Sequence, residues 1–428
     1  MAEQPTNHLT PWPLGHRVAF RFIAIFLLLY ILPFPLDKVP GFHVIAQWYS
    51  KLWHLIVVWV GNHILRLPEP ITLFDGGSGD KIYDYVFLFT IAAVAVLCTL
   101  FWSFFGRHRR SYPTALHWLR VLVRYYLGSV LVFYGMIKVF HLQMPSPSLY
   151  ELVQPFGEQT PMGLAWSYVG FSPAFSAFVG LAEAIAGVLL FFRKTTTIGA
   201  LMAAAVMFNV AVMNFTFYIP VKLYSSMLFL MAVFLVLPDV GRLRDLLLLS
   251  KPTQPRPRKQ YLNKRWVRNT ALVIKILFIA TVVVGNAVTC FKRVKISGDQ
   301  RERSPLYGIY DVTEFIHNGD TLAPLTTDGG RWRQLITDYP NHIHVKFMND
   351  SIAYYPVVWD TTRSRLVVTG STTKDKSAFQ FEKNSDSLRL HGVIGYDSVE
   401  IKMKQRDLKS FHLINTRFRW IEEYPNNR

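Results

Sequence analysis

The sequence predicts an α-helical membrane bundle of about seven transmembrane helices, followed by a C-terminal all-β antiparallel barrel or sandwich. Three observations predict it. Hydrophobic residues make up 51% of the 428 positions and charged residues only 17%, against about 25% charged in soluble domains. Seven stretches approach the roughly 20 apolar residues that a bilayer-spanning helix needs. After about residue 291 the chain changes to short alternating segments separated by turn residues, the pattern of a β-meander.

The predicted spans are 18–36, 85–105, 120–141, 174–192, 197–217, 223–238 and 270–290. No small-residue cleavage site follows the first, so it reads as a retained helix rather than a removed signal peptide. A further segment, 44–66, mixes Trp48, Tyr49, Lys51, Trp53, His54, Trp59 and His63 among its apolar residues. Aromatic belts favour the headgroup zone, so this segment reads as a helix lying in the interface.

Basic residues orient the bundle. Arg107, Arg109 and Arg110 follow the second span, Arg193 and Lys194 separate the fourth from the fifth, and 239–269 carries nine Lys/Arg. The stretch 142–192 carries none. Basic residues in short loops collect on the cytoplasmic side. The N-terminus and 239–269 are therefore expected inside, and 142–173 and the C-terminal region outside. This distribution accounts for much of the net charge of +18, and a nucleic-acid partner is not expected. The two cysteines, Cys98 and Cys290, offer neither a disulfide framework nor a CxxC pair, which excludes dithiol chemistry.

The expected organisation is an N-terminal region 1–115, a helical core 116–249, a basic cytoplasmic linker 250–269 containing Pro252, Pro255 and Pro257, a last span 270–291, and a periplasmic β-domain 292–428. Candidate strands are 307–316, 332–338, 342–348, 351–360, 364–370, 377–383, 386–394, 396–404 and 417–424. Asn318-Gly319-Asp320, Asp328-Gly329-Gly330, Asn349-Asp350 and Asn384-Ser385-Asp386 mark turns. The order of parts resembles a small lipocalin-like barrel. Trp332, Trp359, Trp420, Phe347 and Phe381 are the expected core anchors, filling the interior.

The run RYYLGSVLVFYGMIKVF (124–140) resembles the opening helix of DoxX-like integral membrane proteins, as does FVGLAEAIAGVLLFFRKTTTIGALMAAAVM (178–207). The resemblance is closer to a long bacterial form with extra helices and a GSGD loop, here Gly77-Ser78-Gly79-Asp80 before Tyr83-Asp84-Tyr85. That form also has a last helix and a β-rich tail, ending here in RWIEEYPNNR. The resemblance implies a four-helix core in a bacterial inner membrane, with redox or assembly partner proteins; it carries no catalytic residue over to this chain.

The residues limit the chemistry further. Haem in a bundle needs axial His or Met on facing helices. His117 and His141 lie at span ends, and His54 and His63 fall on opposite faces of a helix. No cofactor is expected, although a quinone would be compatible with the bundle. His342 and His344 share a strand face and read as solvated strand histidines, because a structural zinc site needs four ligands. Asp75, Asp80 and Asp84 cluster in an external loop. They are weak candidates for a hard cation. No GxSxG, HExxH, P-loop or dinucleotide-binding motif occurs.

Glu183 falls inside a span, where an ionisable group is costly and usually paired or functional. Gly180, Glu183, Ala184 and Gly187 form one small-residue stripe. Such stripes let helices approach closely, so Glu183 is expected to face a neighbouring helix. Lys138, Asn209, Asn214, Lys222 and Gln143 are its expected companions in a polar pocket. The resulting expectation is an accessory, non-catalytic membrane component. The alternatives are an oxidoreductase subunit handling quinol or another lipid substrate, and a transporter or lipid-binding protein.

Overall fold

The computed structural model describes residues 11–38, 41–71, 73, 77–254, 261–370, 376–416 and 420–424. The chain divides into two compact units, Met1–Gln143 with Pro173–Lys292, and Met144–Ser172 with Arg293–Arg428.

The first unit is helical: α1 (Leu14–Ile31), α2 (His43–Trp59), α3 (Ile82–Phe105) and α4 (Pro113–Val139). After the excursion of 144–172 into the second unit come α7 (Pro173–Phe191), α8 (Thr196–Thr216), α9 (Lys222–Val236), α10 (Val240–Leu247) and α11 (Arg265–Ser297). Among the described residues, seven helical segments are long and apolar enough to cross a membrane: α1, α3, α4, α7, α8, Lys222–Leu247 and α11. The protein is a multi-pass membrane protein, and the count matches the hydropathy reading. Segment 44–66 is α2 followed by one π-turn, Val60–Ile64, and is not among the seven. Its Trp53, Val57 and Val60 pack with Val86 and Ile91 of α3, while Trp48, Leu55 and Trp59 face outward.

Two boundaries differ from the hydropathy windows for local reasons. Helix α4 starts at Pro113, a residue whose fixed φ suits the first helical position. Helix α11 runs past the apolar stretch at both ends, through Arg265–Arg268 and Lys292–Lys295, because basic residues are good helix formers.

The second unit holds β1 (Gly308–His317), β2 (Asp320–Thr321), β3 (Trp332–Tyr339), β4 (His342–Phe347), β5 (Ile352–Asp360), β6 (Arg365–Thr369), β7 (Lys376–Asn384), β8 (Ser387–Ile394) and β9 (Asp397–Gln405). All pairings are antiparallel; β1 joins β3, each later strand joins the next, and β1 pairs with β9. This closes an eight-stranded barrel, with the two-residue β2 as an addition to β1. Tyr310, Phe315, Trp332, Leu335, Phe379 and Ile401 are among the side chains filling it. Asn318 and Asp350 take positive φ, as the turn residues required.

Three expectations are corrected. The proposed strand 417–424 does not form over its described part, 420–424, and Trp420 is 91% exposed rather than a core anchor. The register explains this: β1 takes β9 as its partner, so no gap is left for a further strand. Trp332 is buried, whereas Phe347, Trp359 and Phe381 pack against the core from partly buried positions. Finally, residues 144–172 form part of the second unit rather than an outer loop of the helical core. They fold into α5 (Leu149–Val153) and α6 (Pro161–Gly170). Leu149 packs on Ile309 and Ile336 of the barrel wall, and its N–H donates to Asp338 Oδ2 at 3.0 Å. Lys346 Nζ donates to the Val153 carbonyl at 3.1 Å.

Candidate functional site: a buried ion pair between two helices

Helices α4 and α7 cross with their backbones almost touching. A Cβ placed on Gly135 would lie 2.6 Å from the Gly180 carbonyl oxygen and 2.6 Å from the Ala184 nitrogen. A Cβ on Gly187 would lie 2.7 Å from the Gly128 carbonyl oxygen. Both contacts exclude any side chain. Gly128 meets Gly187 and Gly135 meets Gly180, so the two helices run antiparallel.

The close approach brings together the two charges that the bundle interior carries here. Lys138 Nζ donates to both Glu183 Oε1 and Oε2 at 2.8 Å. Glu183 is 0% exposed and Lys138 6%. Ser176 Oγ donates to the Lys138 carbonyl at 2.9 Å, tying the last turn of α4 to α7. Lys138 Nζ also lies 5.7 Å from the Tyr134 ring centroid. That ring is 6.2 Å from Tyr224, which in turn neighbours Tyr126 and Tyr30. A chain of phenols thus extends from the ion pair across the bundle.

The expected pocket is only partly assembled. Glu183 and Lys138 are brought together. Asn214 turns to Ser225 Oγ (3.0 Å) and the Val221 carbonyl (3.4 Å), and Asn209 is exposed. Gln143 has a buried Oε1 with no hydrogen-bond donor among the described residues. Lys222 pairs with Asp80 at 2.9 Å.

Asp80 has a distinct task. Its two oxygens accept the Lys222 and Leu223 N–H groups at 2.9 Å each. The GSGD loop thereby caps the N-terminus of α9, satisfying donors that the helix leaves open. Burial works against the charged carboxyl, but the Leu223 and Lys222 donors outweigh it and hold Asp80 below the usual carboxylate range. Asp84 accepts the Lys81 N–H at 2.9 Å in a capping box on α3. Asp75 lies outside the described residues. The structure therefore gives Asp80 and Asp84 helix-capping partners.

His342 and His344 share the outer barrel face as expected, with ring centroids 5.2 Å apart, but they are partly buried rather than solvated. His342 stacks on Tyr339 at 4.7 Å and His344 on Tyr150 at 4.6 Å. Burial and the neighbouring His342 push the His344 imidazole down to about 4, against the pull of Asp338.

Sequence reading missed two buried arginines. Arg21 in α1 donates to Tyr112 Oη (2.8 Å), Ser103 Oγ (2.6 Å) and the Gly106 carbonyl (3.1 Å). Arg124 in α4 donates to the Leu190 carbonyl at 2.9 Å. Their signal was the one that exposed Glu183, an ionisable residue within an apolar span.

In chemical terms, the Lys138–Glu183 contact is closed. Each carboxylate oxygen is engaged, both residues are buried, and glycine contacts flank them. Such a contact fixes two helices to each other.

No protein-family model matches the chain, and no solved structure matches it. The chain is similar to Uncharacterized protein YwoB of Bacillus subtilis (strain 168), at 28% identity over 125 residues, covering 27% of this chain and 73% of that protein.

Proposed function

We propose that this chain is a DoxX-like component of a bacterial inner-membrane assembly, accessory rather than catalytic, with its barrel in the periplasm and its N-terminus and 239–269 in the cytoplasm. The observation that carries this reading is the closed Lys138–Glu183 pair at the α4–α7 crossing. A buried charge in a membrane bundle marks either a functional group or a lock. Here both oxygens of the carboxylate are taken by one ammonium, and the flanking helices meet glycine to glycine. That is the geometry of a lock. The basic loops, nine Lys/Arg in 239–269 against none in 142–192, support the orientation.

A second reading, a subunit that handles quinol or another lipid-soluble substrate, draws on the phenols of Tyr134, Tyr224, Tyr126 and Tyr30 beside the pair. One purification separates the two. Protein extracted in mild detergent should carry a stoichiometric partner protein and show no haem, flavin or quinone in its absorbance spectrum and lipid extract. A bound redox group would overturn the accessory reading in favour of the second. The orientation has its own test: alkaline phosphatase fused after residue 424 should be active, and fused after Lys251 inactive.

A further inference from the structure

We propose that the cavity framed by Arg301 and Arg303 in the second unit binds a phosphate ester. The cavity measures about 220 Å³, and Arg301, Arg303, Asp299, Asp338, Tyr307 and Ser146 put polar groups on its walls. All six belong to the second unit. Two separate stretches of chain and strand β3 build it. The Ser146 N–H donates to Asp299 Oδ1 at 3.4 Å, and the Leu149 N–H to Asp338 Oδ2 of β3 at 3.0 Å.

Each arginine is held by its face. Arg301 Cζ lies 4.2 Å from the Tyr339 ring centroid, and Arg303 Cζ lies 4.6 Å from that of Tyr307. A guanidinium stacked on a ring is fixed in place while its N–H edge stays open to an anion. The protein fills these edges only in part. Arg301 Nη2 donates to Asp338 Oδ1 at 2.8 Å, and the side chain is 14% exposed. Its Nε is buried and has no acceptor among the described residues. A buried donor left so is costly. Arg303 makes no hydrogen bond or ion pair among the described residues; its contact is with the Tyr307 ring. Asp338 is matched by Arg301, so Arg303 is the cation that a ligand would neutralise.

The walls also set the ligand's class. At about 30 Å³ per water, the cavity has room for about seven water volumes, the scale of a small polar molecule. Pro147 is the one lining residue without a polar side chain, so the cavity suits a polar group and not an acyl chain. Two guanidinium edges on one cavity suit a phosphate better than a carboxylate. A planar carboxylate is matched by a single fork, whereas a tetrahedral phosphate accepts from several directions. The chain leaves two spanning helices shortly before these walls, α4 at Val139 and α11 at Ser297. A phosphate ester can therefore come on a lipid headgroup or from solution.

The test is isothermal titration of the purified full-length protein in maltoside with glycerol 3-phosphate, glycerate and glycerol, which differ in the anionic group. Glycerol 3-phosphate should bind most tightly. Arg303→Gln should weaken it about tenfold, the scale of one hydrogen bond to a charged group. Arg303 is exposed, so this variant keeps its fold and the test stays decisive where Arg301→Gln does not fold. Arg363→Gln, an exposed arginine elsewhere on the barrel, should change nothing. Dihexanoylphosphatidylglycerol that blocks the titration would identify a lipid headgroup as a ligand; unblocked binding would identify the soluble ester. Glycerate or glycerol binding as tightly as glycerol 3-phosphate would overturn the proposal. So would unchanged affinity in Arg303→Gln, or an equal loss in Arg363→Gln.

Discussion

Lys138–Glu183 in the helical unit and Lys402–Glu314 in the barrel are the same contact, an ammonium 2.8 Å and 2.7 Å from a carboxylate. Their surroundings set different values on it. The first pair is buried between backbones that touch. The second bridges directly opposed positions of β1 and β9 with both side chains more than a third exposed. Water already solvates the exposed pair, so losing it frees both groups to return to solvent. The buried pair has no such alternative, and removing one partner strands the other. Arg301–Asp338 stands between them: the carboxylate is nearly buried, the arginine mostly so, and the contact is 2.8 Å. The lesson is that distance alone ranks none of these contacts; the environment does.

Breaking the three pairs in turn should reproduce that ranking. Glu183→Leu leaves the Lys138 ammonium buried and unpaired, a loss of about 3–5 kcal/mol. It should abolish folded yield on detergent gel filtration. Glu183→Gln keeps shape and an acceptor for Lys138, and should retain most of the yield. Equal tolerance of both would remove the lock. Asp338→Ala deletes acceptors for Arg301 Nη2 and the Leu149 N–H. The expected cost is about 1.5–3 kcal/mol. The readout is a lower barrel transition in calorimetry of the full chain, together with faster hydrogen exchange in 144–172. Lys402→Gln should change stability by less than about 1 kcal/mol, and a larger effect would contradict the comparison.

A pH scan sharpens the same contrast without mutation. His344 falls from its ordinary 6.5 to about 4 in the folded barrel. Between those values the unfolded chain takes up a proton that the native state refuses, so stability falls as pH drops from about 6.5 toward 4. Above that window the histidine makes no pH-dependent contribution. His344→Phe keeps a ring against Tyr150 and should flatten this part of the melting curve. A wild-type barrel transition that is constant between pH 4 and 7 would show that His344 protonates freely.

The helices and strands were legible because their periods are strong. Seven apolar stretches and eight alternating segments map onto seven spans and eight barrel strands. Glu183 was legible because a carboxylate in an apolar run stands out, and Lys138 because it was the lysine near enough to reach it. The remaining pocket members were not separable. Asn209 and Asn214 look alike in sequence, yet five residues of helix turn them 140° apart. The failed strand 417–424 has strand-like residues, but barrel closure is a non-local event that no local pattern reports. The docking of 144–172 did leave a trace. Ser148-x-x-Glu151 is a capping box, formed in the structure, and it starts a short helix whose Leu149 meets the barrel. The stretch reads as a loop only because each helix in it is short.

The glycine spacing at the α4–α7 crossing has a consequence for how the chain can vary. Gly128 and Gly135 are seven residues apart, as are Gly180 and Gly187, and each glycine on one helix meets a glycine on the other. The helices are thus measured against each other like two rulers with matching marks. Inserting a single residue between 128 and 135 would rotate one mark by about 100° and shift it by about 1.5 Å. One glycine would face its partner and the other would be replaced by a side chain. Substitution elsewhere on these helices leaves the marks aligned; a change of length does not. The crossing therefore tolerates drift in composition far better than drift in length.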